Sequence, residues 1–408
     1  MSSLIVIGGG AAGFFCAVNA ARMNPALKVT ILEKTGKLLS KVKVSGGGRC
    51  NVTHACFVIS EMVQRYPRGA NFLKKAFHQF FTTDTIHWFK ERGVALKTED
   101  DGRMFPVTNS SQTIVDCLLN EAKKYEVDIQ LHAEVNSIKK EHNGFTLQLK
   151  NARMLHAGYI CIASGGYPKK EMFEWMNVDG APVPIETPVP SLFTFNLPGS
   201  ELVDLPGISV ASAEVKINGT KLKEQGPLLI THWGLSGPVI LKLSAWGARE
   251  LAAANWHFDI QVNWAPVFNE NTLREQLQLF RKEKAAQTVS GKPQFGLPRR
   301  LWEFFLQQCG ITEKMRWADL PAAAQNQLAK IICSHTLNVK GKTTFKEEFV
   351  TAGGVSLKEV DVQTMQSKQI PGLYFAGEAL DIDGITGGFN FQAAWTTAFI
   401  AARSLGRT

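Results

Sequence analysis

Three glycine-rich segments and a few polar side chains beside them have the types and spacing to hold a dinucleotide. The first is Gly8-Gly9-Gly10-Ala11-Ala12-Gly13, a G-x-G-x-x-G run between the apolar stretch Leu4–Ile7 and the small-residue stretch Ala11–Met23. In a strand-turn-helix, Gly8 permits the tight bend, Gly10 lets the backbone approach a pyrophosphate, and Gly13 lets helix and strand pack closely. The helix start, with Ala12 and Gly13 in its first turn, presents unpaired N–H groups and a positive dipole end to phosphate. Glu33, with Lys34 beside it, ends the apolar run Lys28–Leu32. It lies about 20 residues beyond the third glycine, where a carboxylate accepts hydrogen bonds from a ribose.

The second segment lies near the C-terminus. Gly372-Leu-Tyr-Phe-Ala-Gly377-Glu378 reads as a buried strand, a turn and an acid at the strand's end. Gly384-Ile-Thr-Gly387-Gly388-Phe389-Asn390-Phe391-Gln392 then opens a last helix over Gln392–Leu405. That helix start suits a flavin pyrimidine, where negative charge collects on reduction. The third segment is Ser45-Gly46-Gly47-Gly48-Arg49-Cys50-Asn51-Val52-Thr53, preceded by Lys41 and Lys43. Three successive glycines are costly where no flexibility is needed. A backbone lying against a flat ring or phosphates explains them. Arg49 offers a fixed fork of donors. Cys50 is open to three readings: a redox thiol, a proton donor or a packed thiol. With Cys56 it could form a redox pair.

The elements that must position these residues alternate in type. Leu4–Ile7, the helix Ala11–Met23 and Lys28–Leu32 make one βαβ unit. Helical periodicity spans 71–92 and 111–125, and short strands fall at Val127–Leu131, Glu134–Lys139, Phe145–Leu149 and Tyr159–Ile162. Six prolines between 181 and 207 mark a crossing into another unit. Residues 208–264 read as strands, 270–333 as helices, and the chain after about 343 returns to short strands and glycine turns. The expected division is a discontinuous nucleotide-binding domain over 1–190 and 343–408, a β-rich insertion over 191–268 with 334–342, and a helical insertion over 269–333.

At 408 residues the chain exceeds the usual span of one core. No apolar run approaches the roughly 20 residues that cross a bilayer. The seven cysteines are odd in number and lack any Cys-x-x-Cys, which argues against a disulfide framework and against a bound metal. A reducing cytoplasm is the expected compartment. Residues 1–75 hold eleven Lys or Arg against two acids, a difference that equals the whole net charge of +9. Such a segment can meet cofactor phosphates and solvent, or an RNA backbone.

Taken in order, these motifs resemble a known family. The Gly8–Gly13 turn with Glu33, Ser45–Thr53, Gly102-Arg103-Met-Phe-Pro106, Ala163-Ser164-Gly165-Gly166, Thr231–Pro238, Thr351-Ala-Gly-Gly-Val355 and Gly372–Glu378 are similar to those of bacterial BaiN-like, or aminoacetone oxidase-like, NAD(P)/FAD-dependent oxidoreductases, over nearly the whole length. The resemblance implies an α/β fold, a glutathione-reductase-type FAD-binding Rossmann domain interrupted by a β-barrel-like and a helical insertion. It implies FAD as cofactor and NADPH or NADH as electron donor. It also implies small-molecule redox chemistry or, in some members, reduction of a uridine in ribosomal RNA to dihydrouridine. This chain departs from the family in having Ser164 where a threonine is usual, and in a shortened segment after Gly166.

Reducing a conjugated C=C bond takes a hydride from the flavin and a proton from an acid. Cys50, His232 and Tyr167 are the candidate acids, His232 because a histidine titrates near the operating pH. Arg103, beside Phe105 and Pro106, is a candidate to hold an anionic substrate or a phosphate. Trp233 and Trp395 could stack on a base or fill a core. If RNA is the substrate, Arg281–Lys284, Arg299 and Arg300 are further expected phosphate contacts. Three functions follow: a uridine reductase acting on ribosomal RNA, a reductase or oxidase of a small enone or amine, and a flavin-containing RNA-binding factor without turnover. A single G-x-G-x-x-G leaves NAD(P)H no evident domain of its own.

Overall fold

The structure is a computed structural model, and it describes residues 3–344 and 350–405. Two compact units divide the chain, one formed by 1–191 with 345–408 and the other by 192–344.

The first unit is built on a parallel sheet in the order Leu373–Phe375, Tyr159–Ile162, Ser3–Ile7, Lys28–Leu32, Asp128–Gln130. Its central strands are continuous apolar runs rather than alternating ones, as expected where both faces are covered, here by helices and by the antiparallel strands Gly144–Leu149 and Met154–Ala157. The C-terminal strand pairs with Tyr159–Ile162, so the first and last parts of the chain share one sheet. Behind it the helices Ala11–Met23 and Phe389–Leu405 enclose an aromatic cluster. Phe15 lies 4.5 Å from Trp88 and 5.1 Å from Trp395, ring centre to ring centre. Asn19, fully buried there, donates to the Phe15 carbonyl and accepts from the Trp88 indole N–H at 3.0 Å.

The helical pattern over 71–92 is two helices, Ala70–Ala76 and Thr82–Lys90. Phe81 turns to extended backbone, and the Asp84 carboxylate accepts its N–H at 2.7 Å, so the second helix starts afresh. Met154–Ala157 is a strand that the sequence pattern did not indicate. It completes a three-stranded antiparallel sheet with Val135–Glu141 and Gly144–Leu149. The proline-rich crossing contains Ile185–Ser191, paired antiparallel with Val350–Val355. Pro188 and Pro190 are tolerated there because a two-stranded ribbon leaves one edge of each strand free of ladder bonds.

In the second unit seven antiparallel strands follow the order His335–Lys340, His257–Asn263, Ser209–Ile217, Lys223–Thr231, Gly234–Ser236, Thr194–Asn196, Lys342–Thr343. The first and last of these are consecutive pieces of one segment, bent at Gly341 (φ 92°). The helices Glu270–Glu283, Arg299–Gln308 and Ala322–Ser334 share a core with this sheet. Trp264, Trp302, Phe305 and Trp317 are at most 1% exposed within it. The helices of 269–333, expected as a separate insertion, therefore share one core with the strands of 192–268.

His335 lies at the edge of that core, where its Nδ1 accepts the Trp264 indole N–H at 3.2 Å. Burial lowers its pKa from 6.5 to about 4. A histidine whose folded value is depressed contributes stability above its ordinary value, and that contribution is lost as pH falls. The second unit is therefore expected to lose stability between pH 6.5 and about 4. Denaturant midpoints followed by tryptophan fluorescence should show this slope, and H335Q, which keeps an acceptor near Trp264, should flatten it.

Candidate cofactor cradle

The Gly8–Gly13 turn is shaped by close backbone approach. Gly8 (φ 118°) donates its N–H to the Leu32 carbonyl at 2.8 Å, and a Cβ there would stand 2.3 Å from the Ala163 carbonyl oxygen. A Cβ on Gly13 would stand 1.9 Å from the Gly8 oxygen. A Cβ on Gly10 would meet nothing within 4 Å. The helix it opens has no side-chain cap, so its first N–H groups are left for a ligand. Glu33 already serves the turn. Its Oε2 accepts the Gly9 N–H at 2.8 Å, and its Oε1 accepts the backbone N–H and hydroxyl of Thr35. Lys34 lies over the Tyr167 ring at 4.9 Å, and Tyr167 packs edge-on against Phe173. Tyr167 is 7% exposed, a packed ring just beyond Gly166.

The Ser45–Gly48 segment leaves helical geometry at Ser45 (ψ 149°) and runs through three left-handed glycines, Gly46, Gly47 and Gly48, at φ 60°, 67° and 81°. Any other residue would be strained by about 1–2 kcal/mol at each. Gly46 is also pressed against the Phe105 ring, whereas Gly47 and Gly48 face open space. The turn therefore exposes bare backbone beside the cradle.

Cys50, itself at φ 59°, closes this turn by donating its N–H to the Ser45 carbonyl. Its side chain is fully buried. Burial pushes its thiol up to about 12, against the opposing hydrogen bond with Ser45. This is the environment of a packed thiol, with no surface on which to meet a substrate. Cys56 is likewise raised by burial. Arg49 and Arg103 both serve Glu99, at 2.5 and 3.2 Å, and Arg103 also pairs with Asp101 at 2.7 Å. Arg49 stacks on Phe105 at 4.0 Å. Both guanidiniums thus have carboxylate partners in the turn between the short strands Leu96–Thr98 and Arg103–Pro106.

The C-terminal segment reaches the same place. Gly377 (φ 70°) leaves room for Ala12, whose Cβ would lie 2.6 Å from a Cβ at 377, and it donates its N–H to the Thr397 hydroxyl. Glu378 accepts the Thr351 N–H at 3.0 Å and pairs with Lys41 at 2.6 Å. A Cβ on Gly166 would collide with the Thr351 hydroxyl at 2.4 Å. Gly165, at φ 77°, faces open space, with Ser164 and Ala163 behind it at the end of the Tyr159–Ile162 strand.

The loop before the last helix is held from behind. The Asn390 amide bonds Gly384 in both directions, the Ile385 N–H donates to the Arg65 carbonyl, and the Tyr66 hydroxyl donates to the Phe389 carbonyl at 2.7 Å. Asp383, fully buried, is gripped by the Arg68 guanidinium and accepts the Ser191 hydroxyl at 2.9 Å. Burial raises its pKa, and Arg68 opposes that rise. The Asn51 amide, oriented to satisfy both neighbours, accepts the Gly388 N–H at 2.9 Å and donates to the Thr53 carbonyl. Phe389 stacks on His54 at 4.7 Å. Burial keeps that imidazole's pKa below the usual value. Phe391 lies against Trp395, which is fully buried and donates to the Val52 carbonyl, a core residue rather than a stacking surface.

Segments 8–13, 41–51, 163–166 and 377–391 are thus brought together. His232 and Trp233 belong to the other unit, in the turn between Lys223–Thr231 and Gly234–Ser236, with His232 exposed. Thr351, the Arg68–Asp383–Ser191 clamp and His54 escaped the reading of single residues. Only the glycines around Thr351 and the histidine directly after Thr53 carried any signal.

A family model described as "HI0933-like protein Rossmann domain" matches residues 2–404. The chain belongs to the HI0933-like family. Over 98% of its length it is 32% identical to a protein of Escherichia coli (strain K12) named ribosomal RNA dihydrouridine synthase, covering 97% of that protein. A protein of Clostridium scindens named 3-dehydro-bile acid delta(4,6)-reductase is 25% identical, with 99% of each chain covered. Among solved structures, a 3-ketosteroid-delta4-(5alpha)-dehydrogenase from Rhodococcus jostii RHA1 aligns with a TM-score of 0.52 at 12% identity, over 100% of this chain and 97% of that one. The open form of a flavocytochrome c3 fumarate reductase aligns at 0.51 and 16% identity, over 100% and 78%. These two likenesses show the Rossmann-type fold that the family model names. This HI0933-like protein is a flavin-dependent oxidoreductase.

The cradle fits FAD. Gly10, Gly47, Gly48 and Gly165 present backbone to space that a Cβ would enter freely, and the buried Thr351 hydroxyl has no partner among the described residues. Gly8–Gly13 would take the pyrophosphate, Glu33 the adenosine ribose, and the Ser45–Gly48 and Gly384–Gly388 turns the ring system, with Lys41 and Glu378 between.

Gly13→Ala is expected to abolish flavin retention, read as the ratio of flavin to protein absorbance, because its Cβ would lie inside the Gly8 carbonyl. In the folded protein Cys50 should resist iodoacetamide at pH 8 and react on unfolding. Its folded value lies above the ordinary 9.0. Stability linked to the neutral thiol is thus complete below pH 9 and is lost as pH rises towards 12.

Proposed function

We propose that this protein takes electrons from NADPH or NADH through FAD and reduces the C5=C6 bond of a uridine in ribosomal RNA, in the cytoplasm. The observation that carries this reading is the match at 32% identity, across 98% of this chain, to the E. coli protein named for that reaction. When bound, the flavin supplies the hydride. The chain's own residues have separate tasks. The first glycine turn and its helix start bind the phosphates, and the clamped 384–388 loop sets the last helix start against the ring. With one dinucleotide turn and no second, nicotinamide and substrate take turns at the same face. Of the three candidate acids Cys50 and Tyr167 are buried, and His232 is exposed on the other unit. Arg103 is proposed to help hold Glu99 and the Arg49 turn in place rather than to meet substrate, since its guanidinium is already paired.

The C. scindens relative favours a second reading, reduction of a conjugated C=C bond in a small molecule. The two are separated by incubating purified enzyme, FAD and NADPH or NADH with protein-free ribosomal RNA from a strain lacking the gene. Enzyme-dependent dihydrouridine at one position is the expected outcome. None, with the flavin still reduced by NAD(P)H, would leave the small-molecule reading.

A further inference from the structure

The second unit carries a concentration of positive charge that the count along the chain conceals. The strands Ser209–Ile217 and Lys223–Thr231 pair so that Lys216 stands directly opposite Lys223. Like charges facing across a ladder are destabilising. The turn between these strands adds Lys221, and Gly219 takes the left-handed conformation the turn needs (φ 77°). Glu214 is the one acid of the group. It pairs with Lys223 at 2.7 Å, while Lys216 and Lys221 are exposed and have no carboxylate partner among the described residues.

These side chains line a surface depression of about 340 Å³. Its other walls are Thr220, Gln261 and Asn263, with Cys333 the one apolar contribution. Pockets for small organic ligands are predominantly apolar, with few polar groups. An open hollow of ammonium, amide and hydroxyl groups instead suits phosphate and sugar oxygens, which supply most protein–nucleic acid hydrogen bonds. The register offers a reason for the juxtaposed lysines. Glu214 already answers Lys223, so an anion in the hollow would offset the charge of Lys216 and Lys221.

We propose that this hollow binds the sugar-phosphate backbone of the RNA substrate, away from the reduced base. The inference rests on the uridine reading above and assigns that RNA a contact on the second unit. Neutralising backbone phosphates dominates such affinity and makes it salt-dependent.

The test uses the full flavin-loaded protein and protein-free ribosomal RNA, with binding measured across a salt series. K216E/K221E leaves the Lys223–Glu214 pair in place. It is expected to weaken binding about tenfold or more near 50 mM salt and to make the slope of log affinity against log salt shallower by roughly 1.4–1.8, the change for two lost phosphate contacts. K90E/K123E, two exposed lysines of the first unit, makes the same change in net charge and is the control. Equal weakening by both double variants would overturn the proposal and leave only a general charge effect. So would unchanged binding by K216E/K221E with its flavin content and near-UV spectrum intact. In either case the uridine reading would stand if the wild type makes dihydrouridine. A wild type that neither binds the RNA nor makes dihydrouridine would sink that reading, and the backbone contact with it.

Discussion

A methyl group on Gly13 would lie 1.9 Å from the Gly8 oxygen, and one on Gly377 would lie 2.6 Å from the Cβ of Ala12. The cradle depends on these approaches of chain to chain without side chains between. They bring the first helix onto the first strand and the C-terminal turn onto that helix. The strand Leu373–Phe375 can then lie beside Tyr159–Ile162. Because close-packed interiors transmit small volume changes, one added carbon at such a contact moves elements from both ends of the chain. The Gly8–Gly13 turn and the Gly377–Glu378 turn are thus set by one packing arrangement.

Around this contact the polar groups divide their work. Glu33, Asn51, Glu378 and Asp383 each spend hydrogen-bonding capacity on neighbouring backbone or side chains. They fix the turns that a cofactor then touches through bare N–H groups and glycine backbone. Such preorganisation is useful because groups held in place before a ligand arrives do not have to be ordered by it. The Arg68–Asp383–Ser191 clamp is the strongest case. It buries a charge with its partners and fixes the start of the loop that opens the last helix. The same loop is tied at Ile385 to the backbone of Arg65 and at Phe389 to the hydroxyl of Tyr66.

The cysteines follow from the same economy of space. Cys50 was legible as chemically interesting because it follows three glycines and an arginine. Its burial depends on how the turn folds back on Ser45, which no local pattern reports. Conversely, Arg49 and Arg103 stood out as free donors along the sequence. Glu99 reaches Arg49 across fifty residues, Asp101 and Glu99 meet Arg103 from two and four residues away, and both guanidiniums lie on Phe105. The lysines at 216 and 223 are seven residues apart in the chain and adjacent only through strand register.

Sequence alone determined the glycine turn, its helix and its second strand, and led to the expectation that the C-terminus returns to the first domain. These are local properties: glycines where backbone must approach, and apolar runs whose period sets helix or strand. It also indicated that the glycines at 46–48 serve something other than packing. Only the tertiary structure decided that Glu99 meets Arg49 and Glu378 meets Lys41, that Cys50 and Trp395 are buried, and that Asp383 anchors the second glycine loop. It also joined the helices of 269–333 to the sheet beside them in one core. These outcomes rest on contacts between residues far apart in the chain. Such contacts are set by how whole elements stack, and the side chains involved carry no local mark of their partners.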